Sequence, residues 1–244
     1  MGREKKIRIG TSGWSYRHWR GAFFPDGLPA SRQFQHYSGL FDTVELNSPF
    51  YRLPSHGAFQ AWRDKSPEGF DFAVKASRFI SHMKKLSDPV ESSARFLENV
   101  AGLGEKCGPI LFQLPPGWNV NVERFASFAS RLPGHFRYVF EFRNPSWHHP
   151  EIYAVMRQYA CGFCIFDLDG YLSPLEITSD LVYVRLHGPQ KYAGSYSHEV
   201  LRQWAGRCTE WAAHADVYVY FDNDIGAHAP FNASELQTMV KKIM

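Results

Sequence analysis

The sequence predicts a TIM-barrel-like (β/α)8 barrel in a single domain over residues 1–244, with helix six short or missing. Eight short apolar runs recur along the chain, and each ends in polar residues. Helical patterns separate most of these runs, and 244 residues is a typical length for eight strand–helix units. In this fold the functional side chains lie at the C-terminal ends of the strands. The polar ends of the eight runs therefore predict one shared pocket.

Eight strands are predicted from runs rich in β-branched and aromatic residues. In chain order they are Ile7–Gly10, Thr43–Leu46, Phe70–Lys75, Pro109–Leu114, Tyr138–Phe142, Phe163–Asp167, Leu181–Leu186 and Val217–Phe221.

The helices are predicted from apolar residues at helical spacing between these strands. Asn121 and Ser197 are suitable N-caps for two of them. The segment Asp169–Asp180 is too short for a regular helix with its two loops, which is why helix six is expected to be short or absent. The predicted helices are Ser31–Leu40, His56–Lys65, Val90–Glu105, Val122–Leu132, Glu151–Tyr159, Ser197–Ala213 and Ala233–Lys242.

Composition limits the class of protein. The net charge of +3 is too small to indicate nucleic acid by itself. No apolar run reaches the roughly 18 residues that a membrane span needs. The segment Met1–Lys6 is polar and leads directly into a strand, so no signal peptide is expected. We therefore expect a cytoplasmic protein without a membrane partner.

The pair Cys161 and Cys164 has the spacing of a zinc or redox motif. It opens a predicted strand, however, where residues three apart point to opposite faces. There is no second such pair to complete a zinc site. We therefore expect two free, buried cysteines.

Strand periodicity decides which polar side chains share a face. Glu141 and Arg143 are two residues apart in one strand, as are Arg185 and His187 in another. The candidate catalytic residues are Glu45, Lys75, Glu141 and Asp222. The candidate binding residues at the same ends are Asn47, Gln113, Arg143, Asp167, Arg185, His187 and Asn223. The alternative for any one of them is an ion pair that only neutralises charge in the top layer of the barrel.

Aromatic residues follow several strands and are candidates for stacking on a ligand ring. The alternative is that they pack over the core, which we expect for Trp19, Phe23 and Phe24. The candidates for stacking or contact are Trp14, Tyr16, Tyr51, Trp147 and Tyr192.

The loop from His187 to Glu199 is rich in glycine and leads to a predicted helix N-terminus at Ser197. With Lys191 nearby, it predicts an anion-binding loop. A divalent metal on carboxylates of the strand ends is an alternative, but the neighbouring cations oppose it. The strand ends also have only one histidine, and the first strand lacks an HxH motif, so no metal is expected. No dinucleotide or phosphate-loop motif is present, so no cofactor is expected.

Specific motifs at the strand ends recur along nearly the whole chain. They are GTSGWSY, FFPDGLP, FDTVELNSPFYRLPS, FDFAVKASRFISH, GPILFQLPP, EFRNPSW, YVRLHGP, KYAGSYS and FDND…APFNA. Together these motifs resemble the YecE-like family, also known as domain of unknown function 72. The resemblance implies a TIM-barrel-like fold, but it implies no reaction. One departure is Asp222, where the family pattern usually has Asn before Asn223.

The sequence favours an enzyme of hydrolase or lyase type, acting on a small anionic ligand such as a sugar phosphate or a nucleotide-like compound. Cations would hold the anion, Glu141 or Glu45 would move a proton, and Trp14 or Trp147 would stack on the ring. The alternative is a nucleic-acid-binding or nucleic-acid-processing protein of the endonuclease-like TIM-barrel type. A third hypothesis is a non-catalytic ligand sensor.

Overall fold

A computed structural model describes residues 5–244 of the chain. Residues 1–4, part of the predicted polar segment Met1–Lys6, lie outside the described residues. The strands, in order, are β1 (Ile7–Thr11), β2 (Thr43–Leu46), β3 (Asp71–Lys75), β4 (Cys107–Leu114), β5 (Tyr138–Phe142), β6 (Gly162–Leu168), β7 (Tyr171–Leu172), β8 (Leu181–Leu186) and β9 (Asp216–Phe221).

The helices alternate with the strands over most of the chain. Short 3-10 turns occupy Arg17–Trp19, Ala101–Lys106 and Pro145–Trp147, and a π-helix occupies Phe79–Met83. The α-helices are α1 (Ala30–Ser38), α2 (Ser48–Tyr51), α3 (His56–Lys65), α4 (Pro89–Val100), α5 (Val122–Ala129), α6 (Pro150–Gln158), α7 (His198–Ala212) and α8 (His228–Ile243).

The strand pairing is that of a TIM-barrel-like α/β fold. Eight strands follow the order β1-β9-β8-β6-β5-β4-β3-β2 through the sheet, and β7 is added antiparallel on β6. The ladders β1–β9, β8–β9, β3–β4, β4–β5 and β5–β6 are all parallel. Parallel neighbours with helical connections are expected from βαβ units. The predicted fold class is therefore confirmed.

The chain divides into two compact units. The terminal unit contains the described residues up to Glu45, together with Ile165–Ser173 and Asp180–Met244. The central unit contains Leu46–Cys164 and Pro174–Ser179. That the whole chain forms one domain stays a prediction.

Helix six is replaced by a hairpin, as the short connection suggested. Strand β7 pairs with β6 through Asp167 with Leu172 and Leu168 with Tyr171, leaving Asp169 and Gly170 as the turn. Both turn residues have positive φ, 54° and 79°. An Asp-Gly pair with two positive φ angles makes the two-residue turn whose twist matches a β-hairpin.

Three predicted helix bounds were wrong. Helix α5 ends at Ala129 rather than Leu132, and the other two differences have a local backbone reason. Helix α4 ends at Val100, because the chain tightens into a 3-10 turn that contains Gly104 at φ 56°. Helix α8 begins at His228 rather than Ala233. Its first turn accommodates Pro230, because the N–H groups of a first turn have no partner within the helix.

The predicted N-caps are confirmed. The side chain of Asn121 accepts a hydrogen bond from the backbone N–H of Arg124 at 2.8 Å. The side chain of Ser197 accepts one from Val200 at 3.3 Å. Among residues 5–244, no helix has the length and apolar character needed to cross a bilayer.

Strands β1 and β2 approach closely at Gly10. The hydroxyl of the buried Tyr37 accepts a hydrogen bond from Thr11 N at 2.9 Å and donates one to Thr43 O at 3.0 Å. A Cβ at Gly10 would lie 3.0 Å from that hydroxyl and still closer to Thr43 O. Only glycine fits this approach of two backbones.

We predict that Gly10→Ala destabilises the protein by about 1–3 kcal/mol, the usual cost of forcing an extra group into a packed site. The matched control is Gly206→Ala, in the exposed interior of α7, where an added Cβ meets nothing. There alanine should stabilise by up to about 1 kcal/mol through helix propensity. Urea unfolding of both variants measures the difference, and equal effects would contradict the close approach.

Candidate functional site

Two groups of polar side chains lie at strand ends, one in each unit. The Glu45 cluster, in the terminal unit, consists of Ser12, Glu45, Tyr183, Arg185, His187 and Asp222. The Glu141 cluster, in the central unit, consists of Phe50, Lys75, His82, Gln113, Glu141, Arg143 and Cys164.

An ion pair between two completely buried side chains forms the centre of the Glu45 cluster. Arg185 Nε lies 3.1 Å from Glu45 Oε2, and Arg185 Nη2 lies 2.8 Å from Glu45 Oε1. The two side chains are 1% and 0% exposed. This two-point contact matches the planar fork of a guanidinium to a carboxylate.

Neighbouring groups complete the hydrogen bonding of this pair. Tyr183 donates its hydroxyl proton to Glu45 Oε2 at 2.6 Å, and Ser12 donates to Glu45 Oε1. Burial, followed by the charge of Glu45, raises the pKa of Tyr183, so the phenol remains a donor. Both carboxylate oxygens of Glu45 therefore accept hydrogen bonds from side chains of the terminal unit.

Asp222 connects the pair to the loop after β9. Its Oδ2 lies 3.0 Å from Arg185 Nη2 and 2.9 Å from His187 Nδ1. The Asp222 side chain is 13% exposed, whereas His187 is completely buried. Asp222 therefore supplies a second carboxylate to Arg185.

The expectation that Arg185 grips a ligand meets a physical difficulty. Its guanidinium contacts two carboxylates and the hydroxyl of Ser12, at 3.2 Å, inside the protein. Protein acceptors therefore take the hydrogen bonds that an incoming anion would need. Arg185 and Glu45 therefore neutralise each other's charge, and the binding role of Arg185 and the catalytic role of Glu45 stay predictions.

The Glu141 cluster is organised around a buried carboxylate on β5. Gln113 Nε2 donates to Glu141 Oε1 at 2.7 Å, and Arg143 Nε donates to the same oxygen. The thiol of Cys164 lies 3.8 Å from Glu141 Oε2. Gln113 is placed by the register of β4 and β5, which aligns it with Glu141, and Arg143 by the two-residue period.

Lys75 and His82 contact the ring of Phe50 in the same unit. Lys75 Nζ lies 4.4 Å from the ring centroid, a cation–π contact. The imidazole of His82 meets the ring edge-to-face at 5.1 Å. Burial, followed by the charges of Lys75 and Arg78, lowers the pKa of His82, while Glu141 acts in the opposite direction.

The aromatic candidates differ in exposure. Trp147 is completely buried, stacked on Phe142 at 5.1 Å, and its indole N–H donates to Trp118 O at 2.7 Å. Stacking of Trp147 on a ligand is therefore corrected to packing in the interior. Trp14 is partly buried against Phe34, and Tyr51 is 73% exposed.

Tyr16 belongs to the aromatic packing after β1. Its ring lies 4.9 Å from that of Trp19, which is completely buried, and its hydroxyl donates to Ser12 O. Phe23 packs against Trp19 and Phe24, so the packing role expected for those three rings is confirmed.

The glycine-rich loop after β8 is held by side chains. Gly188, at φ 97°, donates its N–H to the hydroxyl of the buried Tyr196 at 2.9 Å. Tyr192 lies edge-to-face on His187, with ring centroids 5.4 Å apart. Asn223 is completely buried and donates to Gly194 O at 2.8 Å. Asn223 therefore supports the loop from inside.

Two further candidates lie at strand ends. Asp167, on β6, is partly buried; burial raises its pKa, and a hydrogen bond from Tyr196 acts against that rise. Asn47 immediately precedes α2 and is partly buried. That the predicted set shares one pocket stays a prediction.

The cysteine expectation is confirmed: Cys161 and Cys164 are free and buried. Burial raises the pKa of Cys161 to about 12, so its thiol is inert at neutral pH. Across residues 5–244, no three His, Cys, Asp or Glu side chains are grouped as metal ligands.

Sequence reasoning missed Ser12, Tyr183 and His82. Tyr183 is two residues before Arg185 on one strand, so the two-residue period of a strand places both side chains on the same face. The apolar residues around Tyr183 made it resemble a core residue. Ser12 lies in the GTSGW motif. His82 follows β3 by several residues in a π-helix, and no sequence rule places such a residue beside Lys75.

A TIM-barrel-like α/β protein with buried ionic clusters at strand ends is the class that these observations define. The chain belongs to the DUF72 family, described as "Protein of unknown function DUF72", whose model matches residues 8–243. UPF0759 protein YunF of Bacillus subtilis is 24% identical and aligns over 94% of this chain and 93% of its own length. UPF0759 protein YecE of Escherichia coli is 28% identical over 58% of this chain and 50% of its own.

Solved structures agree. A DUF72 family protein from Thermotoga maritima superposes with a TM-score of 0.87 at 28% identity, covering 97% of this chain and 99% of that one. A DUF72 family protein from Enterococcus faecalis, 21% identical, has a TM-score of 0.81 over 96% and 95% of the two chains and supports the fold alone. The resemblance read from the motifs is confirmed.

We predict that Glu45→Gln destabilises the protein by about 3 kcal/mol, because breaking a buried pair leaves a charge without its compensating partner. The matched control is Glu199→Gln, which breaks the exposed pair with Arg202. The control should leave the urea midpoint unchanged, because water solvates both charges. A small effect for both variants would show that Glu45 does not stabilise Arg185.

A second prediction concerns Asp224, next to the Glu45 cluster. Burial, followed by the charge of Asp222, raises the pKa of Asp224 from 3.8 to about 6. The folded protein therefore binds this proton more tightly than the unfolded chain, and ionisation costs stability as the pH rises through about 6.

Asp224→Asn should therefore raise the melting temperature at pH 8. The gain should shrink as the pH falls from 6 towards 3.8 and disappear near pH 3, where the carboxyl is protonated in both the folded and the unfolded wild type. Thermal melts at several pH values measure this. A gain that is equal at both pH values would assign the effect to something other than the ionisation of Asp224.

Proposed function

We propose that this protein is an enzyme of hydrolase or lyase type that acts on a small anionic ligand, such as a sugar phosphate or a nucleotide-like compound. The observation that supports it is the Glu141 cluster. There a completely buried carboxylate, Glu141, pairs with the partly buried Arg143 at the end of β5, and a second partly buried cation, Lys75, is at the end of β3, on the other side of β4. Strand ends are where TIM-barrel enzymes carry their chemistry.

Lys75 and Arg143 are the groups that would bind the anion. Both side chains are partly buried, where an ionic contact is stronger than in open water. Lys75 lies against Phe50, whose ring restricts the ammonium group. A preorganised cation of this kind binds a phosphate or carboxylate oxygen with little loss of side-chain freedom.

Glu141 is the group that would move a proton. Gln113 and Arg143 both donate to one of its oxygens, which orients the carboxylate and favours its ionised form. An ionised carboxylate beside a bound ligand can accept a proton from water or from the ligand, as a general base. We propose the same acid–base class of role for Glu45 and Asp222, with Asp222 the more accessible of the two.

The alternative, a nucleic-acid-binding or nucleic-acid-processing protein, uses the same cations on phosphates and exposed rings such as Tyr51 on bases. The small-ligand function agrees with the cytoplasmic location expected from the sequence, which stays a prediction. Binding assays separate the two functions. If the protein binds nucleic acid, a short single-stranded oligonucleotide should bind far more tightly than a phosphate monoester.

We predict that Lys75→Met weakens binding of a sugar phosphate about tenfold or more, the scale of a lost hydrogen bond to a charged group. The matched control is Lys65→Met, an exposed lysine on α3, which should leave binding unchanged. Calorimetry against a panel of sugar phosphates, nucleotides and their uncharged counterparts measures both.

Equal binding by both variants, or binding of the uncharged compounds as well as the phosphorylated ones, would contradict the proposal. Tight binding of a single-stranded oligonucleotide, with no binding of small phosphates, would support the alternative.

A further inference from the structure

The π-helix after β3 holds the one half-buried imidazole of the Glu141 cluster. π-Helices are rare in proteins, and those that occur are often found at functional sites. Here the π-helix spans Phe79–Met83 and places His82 on the ring of Phe50, which also contacts Lys75. One ring therefore has an ammonium group and an imidazole as neighbours.

His82 is bound through only one of its two ring nitrogens. Nδ1 lies 3.0 Å from the hydroxyl of Ser81, which is itself completely buried. Nε2 has no hydrogen-bond partner among residues 5–244. A serine hydroxyl can donate to a neutral imidazole and can also accept from a protonated one. Ser81 therefore satisfies Nδ1 in both protonation states.

Burial, followed by the neighbouring cations, makes protonation of His82 unfavourable without an anion. Lys75 on β3 and Arg78, beside the π-helix, are the cations that act on it, and Glu141 on β5 is the opposing carboxylate. Strand β4 contributes the uncharged Gln113. On the side of α4, the charged groups Lys84, Asp88 and Glu91 line a groove with Phe79 and Ser92.

We propose that an anion bound beside Lys75 is bound together with a proton, which His82 takes up from solvent to become an imidazolium. The step is the transfer of one proton from hydronium to the imidazole, with water left behind. The Nε2–H of the imidazolium then donates to the anion, and the anion offsets the repulsion from Lys75 and Arg78. This inference rests on the proposed function. It adds that the site binds anions with two negative charges more tightly than anions with one.

Sulfate is the probe, because it does not itself take up a proton near neutral pH. We expect its affinity to rise about three- to tenfold from pH 7.5 to pH 6 at constant ionic strength, the scale of one linked proton. Calorimetry in two buffers of different ionisation enthalpy should show a mean uptake of roughly 0.3–0.7 proton per sulfate over this pH range, as linkage requires for that change in affinity.

His82→Gln should bind sulfate with the same affinity at both pH values and with no proton uptake. The matched control is His148→Gln, since His148 is also half-buried with a lowered pKa but contacts the backbone carbonyl of Phe142 at 3.3 Å. That variant should keep the wild-type pH dependence.

The outcomes separate this inference from the proposed function. Sulfate binding that requires Lys75 but shows no proton uptake overturns the inference and leaves the proposed function in place. Proton uptake that persists in His82→Gln also overturns it, because another group would then be responsible. Absence of any anion binding overturns both. The carbon chemical shift of the His82 ring, followed from pH 5 to 8 with and without sulfate, gives the same answer without calorimetry.

Discussion

A buried charge is stable only when opposite charges and hydrogen-bond partners inside the protein compensate for the lost water. In the terminal unit this constraint applies to the buried guanidinium of Arg185. Glu45 and Asp222 provide the opposite charges, and Ser12 provides an oxygen. These residues belong to the ends of β1, β2 and β9, so one guanidinium fixes the relative positions of several strand ends. Breaking such a pair costs about 3–5 kcal/mol, a large part of the stability of a typical domain.

The two clusters use similar residue types for different physical purposes. In the Glu45 cluster the carboxylate and the guanidinium are completely buried and bonded to each other on two sides. In the Glu141 cluster the cations Lys75 and Arg143 are partly buried, and Arg143 pairs with Glu141. Complete burial favours rigidity, whereas partial exposure lets a cation meet a ligand. The proposed chemistry is therefore centred on Glu141.

Aromatic packing explains why strand ends alone do not identify ligand-binding rings. Trp147 follows β5, as expected, yet its ring is stacked on Phe142 and its indole N–H donates a hydrogen bond to the backbone oxygen of Trp118. Phe50 follows β2, and its ring contacts the side chains of both Lys75 and His82. A large apolar ring is stabilised by burial against any suitable neighbours, and the sequence alone does not predict which residues those neighbours are.

The sequence by itself determined the eight-strand alternation, the caps at Asn121 and Ser197, and the missing sixth helix. It did so because strand period, capping chemistry and connection length are local properties. Strand parity also placed Glu141 with Arg143. Only the tertiary structure decided that Arg185 pairs with Glu45, 140 residues away, and that a π-helix brings His82 to Phe50. Contacts between distant segments depend on how the strands and helices pack, which no local pattern encodes.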